Sequence, residues 1–161
     1  MTDTTTTTIQ MTGALEPRDG WTADRCPMAH ALDVVRNRSA FLVLREAFYG
    51  ATRFDEFVGR TGLSEPVTAT RLRELTDAGL LEREPYREPG QRTRHAYRLT
   101  EKGSDLLPAF VALMQWGDKW VLPGGAGVEV RHHACGAPVT AELRCAHGHD
   151  VGGGALELAQ R

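Results

Sequence analysis

The sequence predicts a mostly helical α+β fold: a helix-turn-helix followed by a β-hairpin wing, then a long C-terminal helix and a small hairpin tail. Three observations carry that expectation. Residues 63–79 place Thr68, Leu72 and Leu75 on one face at spacings of three and four, as an amphipathic helix requires. A shorter helical segment with Phe54, Phe57 and Val58 ends at Gly62, only a few residues earlier, which is the layout of two helices joined by a tight turn. Two short alternating runs, 80–86 and 93–99, then flank Pro89-Gly90 and read as a hairpin with an arginine-rich tip.

Taken in order, residues 1–20 hold a threonine run from Thr4 to Thr8, then Gly13, Pro17 and Gly20, and are expected to be a disordered tail. Trp21 is the first residue expected to touch the folded body. The folded domain should cover 21–123, with a Cys/His-containing extension over 124–161. Asp24 or Cys26 can open the first helix with Pro27 in its first turn, and Met28, Ala31, Leu32 and Val35 give it an apolar face. Arg36-Asn37-Arg38 breaks the pattern. Ser39 is expected to cap a second helix through Phe41, Leu42, Leu44, Arg45 and Phe48, stopping near Gly50. Ser64 should cap the helix of 63–79, Pro66 is tolerated in its first turn, and Gly79 supplies a left-handed stop. Thr100-Glu101-Lys102-Gly103 reads as a cap into one long helix whose broad apolar face includes Leu106, Leu107, Phe110, Leu113, Met114, Trp120 and Val121, ended by Pro123-Gly124-Gly125. So wide a face either packs on the domain's own core or pairs with the first helix of a second subunit, and a homodimer through the first and the C-terminal long helix is expected. Two short strands, 128–132 and 139–145, are expected in the tail.

Composition sets the bounds. The chain has 161 residues, 41% hydrophobic and 25% charged, with a formal net charge of −2. That suits a soluble globular protein and argues against an indiscriminate nucleic-acid binder, while leaving room for a local basic surface. No apolar run approaches the roughly 18 residues of a membrane span, and the N-terminus lacks the features of a secretory signal, so a cytoplasmic protein with no membrane partner is expected. Three cysteines, far apart and odd in number, make no disulfide framework.

With these pieces placed, residues 26–120 resemble the HxlR-type winged helix-turn-helix regulators, a bacterial group with MarR-like architecture. The residues that carry the resemblance are Cys26-Pro27-Met28, Phe41-Leu42-Val43-Leu44-Arg45-Glu46, Gly50 with Arg53-Phe54-Asp55-Glu56-Phe57, and Leu63-Ser64. Further matches are Arg71-Leu72-Arg73-Glu74-Leu75-Thr76-Asp77-Ala78-Gly79-Leu80-Leu81, Arg94-His95-Ala96-Tyr97-Arg98-Leu99-Thr100-Glu101-Lys102-Gly103 and Trp116-Gly117. The resemblance implies a transcriptional regulator that binds pseudo-palindromic operator DNA as a homodimer. Two positions depart from the family pattern. Arg36-Asn37-Arg38-Ser39 stands where the family has Gly-Gly-Lys-Trp, and Thr68 stands where it has a buried leucine.

On DNA, Ser64, Pro66, Val67, Thr70 and Arg71 are expected on the outward, N-terminal part of the recognition helix. Arg71 could bond a guanine bidentately, Val67 or Thr70 could meet a thymine methyl, and Ser64 could touch phosphate. Arg87, Gln91, Arg92 and Arg94 of the wing, with Arg53 before the third helix, are backbone or minor-groove candidates. The competing reading of each arginine is a solvated charge paired with Glu82, Glu84 or Glu88. Between 64 and 98 seven arginines face six acids, so the patch is only weakly basic. Two recognition helices of a dimer should stand roughly 34–36 Å apart, one turn of DNA.

On the effector side, a repressor released by a small molecule or by thiol modification is expected. Cys26 stands at the start of the first helix, where the dipole favours negative charge, and its position resembles the N-terminal cysteine some family members use to sense oxidants. The alternative is a small residue buried at a dimer interface. In the tail, Cys135, Cys145, His149 and His132 (or His133) are residue types that suit zinc. Gly148 falls near the place where a zinc ribbon has its second Cys-x-x-Cys cysteine, so no cofactor is the reading taken. Two other functions stay open. One is a winged helix used only for protein interaction. The other is a metal-dependent enzyme built on the tail with Glu129, Glu142 or Asp150, for which no known catalytic spacing is present.

Overall fold

The computed structural model of the chain describes residues 9–16, 22–87, 89–90, 92–152 and 155–159. Trp21 and Gln91, and most of the expected tail of 1–20, lie outside the described residues. The chain divides into two compact units, one of Pro27–Phe110 and one of the segments on either side of it.

In the first unit, α1 (Pro27–Val35) opens at the expected proline. It ends where Arg36 takes a positive φ of 52°, the one non-glycine residue to do so among those described, and so turns the chain. Asn37, and not the expected Ser39, caps α2 (Arg38–Phe48): its Oδ1 accepts the Ala40 amide at 3.1 Å. Ser39 already lies inside the first turn, and its hydroxyl donates to the same Asn37 oxygen at 2.7 Å. Ala40, Val43, Leu44 and Ala47 repeat at three and four and are all buried, which puts α2 at the centre of the core. α3 (Phe54–Thr61) follows and contributes Phe57, fully buried. Gly62 then takes the left-handed conformation, φ 68°, that a side chain would resist.

The turn delivers the chain directly into α4 (Glu65–Asp77), which buries Thr68, Leu72 and Leu75 as the spacing requires. Ser64 occupies the N-cap with extended backbone, but its hydroxyl makes no capping bond. Pro66 removes one amide from the set that needs a partner, so less is lost. Leu80 and Leu81 close the core from the start of the wing.

The wing is the antiparallel pair β2 (Leu81–Tyr86) and β3 (Arg94–Leu99), in register from Leu81↔Leu99 to Tyr86↔Arg94. Its inner strand is tied to the body of the unit: the Tyr97 amide donates to the Thr52 carbonyl at 2.8 Å, and Arg53 bridges Ala96.

The single long helix expected from Thr100 is two. Thr100 does cap, its Oγ1 accepting the Gly103 amide at 3.1 Å, but α5 (Glu101–Ser104) stops after one turn and α6 runs over Leu107–Trp120. Pro108 gives the reason: it has no N–H for the carbonyl of Ser104, and its ring would collide with that carbonyl in a continuous helix. Phe110 of α6 is buried against the rings of Phe48, Tyr49 and Phe41, with centroids 5.1, 6.1 and 6.4 Å away.

In the second unit, residues 9–16 depart from the expected disordered tail. β1 (Gln10–Met11) pairs in parallel with β4 (Glu157–Leu158), and the Gln10 amide donates to Leu156. Polar, low-complexity composition hid a contact that is made through backbone alone. The expected strands 128–132 and 139–145 are not continuous ladders. They reduce to two tight loops closed by isolated bridges, Arg131↔Pro138 and Arg144↔Asp150. Gln115 of α6 anchors the segment between them, donating to the Val139 carbonyl at 2.6 Å and accepting the Ala141 amide at 3.0 Å. Among the described residues no helix is long and apolar enough to cross a membrane.

Candidate nucleic-acid interface

The candidate interface is built on α4 and the wing, because α4 presents one face to the core and leaves the other open. At roughly 100° per residue, burial of Thr68, Leu72 and Leu75 turns Pro66, Thr70, Arg73 and Asp77 to the opposite side. Ser64, Pro66 and Val67 are exposed and Thr70 half-exposed, as expected. Thr70 donates its hydroxyl hydrogen to the Pro66 carbonyl at 2.9 Å, which leaves its methyl and an oxygen lone pair for a partner.

Arg71 is held differently from these residues. The same arithmetic puts it within about 70° of the middle of the buried face, and its side chain is only 20% exposed. Its guanidinium is clamped by Glu74, one turn on, and its Nε is buried without a hydrogen-bond partner. A residue so held is a poor first choice for reading a guanine. Arg73 is placed more openly. It is exposed on the outward side and forms no ion pair among the described residues. The signal that finds it is in the sequence: it lies five residues after Thr68, almost opposite on the wheel.

Around α4 the other candidates fall into two groups. Arg53, at the N-terminus of α3, lies over the Tyr86 ring, 5.0 Å from its centroid. Arg94 approaches Asp55 at 3.5 Å with both side chains largely exposed, and Arg98 is engaged by Glu84 at 2.5 Å. Arg87 and Arg92 are exposed in the turn. The fourth wing candidate, Gln91, lies outside the described residues. The structure thus gathers Arg53, Arg87, Arg92 and Arg94 at one end of the hairpin, with Arg98 neutralised lower down. Exposed pairs such as Arg94–Asp55 are worth little in water, so a phosphate can compete for the arginine.

The start of α3 is fixed by a carboxylate. Glu56 Oε2 accepts the amides of Thr52 at 2.9 Å and Arg53 at 3.0 Å, while Oε1 pairs with Arg60 at 3.1 Å. The Thr52 amide first, the Arg53 amide next and then the nearby arginine charges hold its carboxyl below the usual glutamate range.

The remaining sequence candidates lie in the other unit. Cys26 is half-buried and free, in extended backbone one residue before Pro27. The four residues named for zinc fall into two separate pairs: His132 Nδ1 contacts Cys135 Sγ at 3.1 Å, and Cys145 Sγ contacts His149 Nδ1 at 3.5 Å. Among the described residues no three metal-binding side chains converge.

Comparison with known proteins finds helix-turn-helix regulators. A family model described as HxlR-like helix-turn-helix matches residues 34–124. Rv3095, an HTH-type transcriptional regulator of Mycobacterium tuberculosis, is 43% identical over 121 residues, covering 74% of this chain and 75% of the relative. The crystal structure of PA1607, a candidate transcription factor, superposes with a TM-score of 0.71 at 35% identity, over 80% of this chain and 89% of that one. The redox regulator HypR in its reduced form matches 58% of this chain and 91% of its own, with a TM-score of 0.52 and 28% identity.

Proposed function

The chain belongs to the HxlR-like helix-turn-helix family and is a transcriptional regulator, and from that premise we propose that it is a repressor. It binds a pseudo-palindromic operator as a homodimer and leaves it when an effector or a thiol modification intervenes. The observation that carries the DNA-binding face is the exposed outward side of α4, with Pro66, Val67, Thr70 and Arg73, set beside a wing whose tip gathers Arg87, Arg92 and Arg94. In this reading Arg73 reaches base edges, and Ser64, Arg53 and the wing arginines hold phosphates.

Dimerisation is read from unpaired apolar surface. On α1, Met28 and Leu32 are exposed, and on α6 Leu113, Trp116 and Trp120 are exposed at helical spacing. The chain acts as a binding protein rather than an enzyme, in keeping with relatives that are regulators. Thiol control draws its support from the half-buried, free Cys26 and from the likeness to HypR, a redox regulator.

A gel-shift titration with the DNA upstream of the chain's own gene tests the face. Arg73→Gln should weaken binding about tenfold or more, as loss of a bidentate base contact costs roughly 1–3 kcal/mol. Arg71→Gln should weaken it less. Equal, unchanged affinities for both variants and for Arg92→Gln would place DNA elsewhere. Loss of binding after peroxide that persists in Cys26→Ser would remove the thiol from the scheme.

A further inference from the structure

A cavity of about 270 Å³ opens where the wing meets the start of α3, lined by Phe54, Asp55, Tyr86, Arg94, His95 and Tyr97. Three of its walls are aromatic, and two of those rings are fixed. Phe54 and Tyr97 pack against the hydrophobic core, and Tyr97 meets Phe57 edge-on with centroids 6.1 Å apart. Its rim is cationic. Besides Arg94 in the lining, the Arg53 guanidinium lies 5.0 Å from the Tyr86 ring centroid and that of Arg83 5.9 Å from the Tyr97 centroid. Arg83 Nη2 also lies 3.0 Å from His95 Nδ1. Asp55 is the one acid in the lining, and its pairing with Arg94 is long and exposed.

We propose that this cavity is the effector site and that it takes a small planar aromatic carboxylate. The ring lies among Phe54, Tyr86 and Tyr97, and the carboxylate replaces Asp55 on Arg94. The class follows from the surroundings. Aromatic walls bind a ring face or edge, and a guanidinium fork matches a planar carboxylate with two parallel hydrogen bonds. The size follows from the volume: at about 270 Å³ the cavity falls just below the roughly 300–1,000 Å³ of ordinary ligand pockets, which limits it to a single ring with short substituents. Arg53 and Arg94 are also wanted by DNA phosphates, so ligand and operator compete for the same cations. Each must then weaken the other by the same factor. This inference rests on the DNA-binding reading only for that last step.

The test uses the full chain with 4-fluorobenzoate, followed by fluorine NMR in the absence of DNA. Saturable binding is expected, about tenfold weaker in Arg94→Gln and at least as much weaker for the neutral isostere 4-fluorobenzyl alcohol. Asp55→Asn frees Arg94 and should bind 4-fluorobenzoate more tightly, a gain that a misfolded variant cannot mimic. No saturable binding, equal affinity for acid and alcohol, or an unchanged affinity in both variants overturns the site. In the second arm, saturating 4-fluorobenzoate should reduce the gel shift of the upstream DNA severalfold in the wild type and not in Arg94→Gln. Binding to the cavity with an unaltered gel shift overturns the competition. A missing gel shift without any probe present is instead the failure of the DNA reading, and the NMR arm still decides the site.

Discussion

Thr68 is fully buried, and its hydroxyl has no hydrogen-bond partner among the described residues. A buried hydroxyl left unpaired forfeits its hydration without return, while a methyl of the same shape does not. Thr68→Val should therefore raise stability by about 1 kcal/mol, read as a higher urea midpoint with an unchanged slope. A lower midpoint would mean that the hydroxyl is satisfied. The two arginines of α4 make a related point about legibility. The sequence expectation set Arg71 on the outward part of the helix with Ser64, Pro66, Val67 and Thr70, and arginine one turn in is what a major groove favours. Angle and partner favour Arg73 instead: Arg71 sits at the edge of the buried face beside Glu74, and Arg73 faces out. The sequence carried the angle. It did not carry the clamp, since whether a carboxylate three residues on turns toward the guanidinium depends on how much water each retains.

At the scale of elements, α1 to α4 and the wing follow from apolar spacing and from punctuation by Gly62, Gly79 and the Pro-Gly turn, and those were legible. The breaks that were not legible each turn on one backbone group. Pro108 splits the expected long helix, and Asn37 takes the cap from Ser39 because the chain enters α2 one turn-position sooner. The join of α5 to the wing is equally local. A Cβ on Gly103 would stand 2.2 Å from the Leu80 carbonyl oxygen, the same oxygen that accepts the Thr100 amide at 3.1 Å. Gly103→Ala must push α5 off that carbonyl, and a cost of about 2–3 kcal/mol in urea unfolding is expected. A loss under about 0.5 kcal/mol, the usual range for surface changes, would show that the approach is looser than this. The N-terminus of α3 gives a pH signature. The Glu56 carboxyl is held below its ordinary value, first by the Thr52 amide, so the native state binds its proton less readily than the unfolded chain. Its contribution is present above the unfolded value near 4.5 and is lost as pH falls through the lower folded value. In Glu56→Gln the acid limb of stability against pH should flatten, while stability near neutral pH falls. An identical acid limb in both proteins would remove Glu56 from the account.

For the whole molecule, the formal net charge of −2 means that attraction to DNA cannot come from the chain's overall field. In the proposed dimer it comes from presenting a small cationic tip twice, so that assembly would be part of the function. The apolar stripe of α6 is the element that can supply the second copy. Leu113, Trp116 and Trp120 follow one another at three and four residues, and the two tryptophans are 58% and 68% exposed in the single chain. Leaving such a stripe in water is costly at about 25 cal/mol per Å² of apolar surface. A glutamate in its middle adds a charge that cannot be buried unpaired. Trp116→Glu should therefore sediment as a monomer at concentrations where the wild type is a dimer, with unchanged far-ultraviolet circular dichroism because the residue is already exposed in one chain. Operator affinity should fall by well over tenfold, since one half-site contact is lost and the other must hold alone. A Trp116→Glu protein that remains dimeric would remove α6 from the interface. A monomer that keeps full affinity for the operator would show that one copy suffices, and with it that the operator need not be pseudo-palindromic.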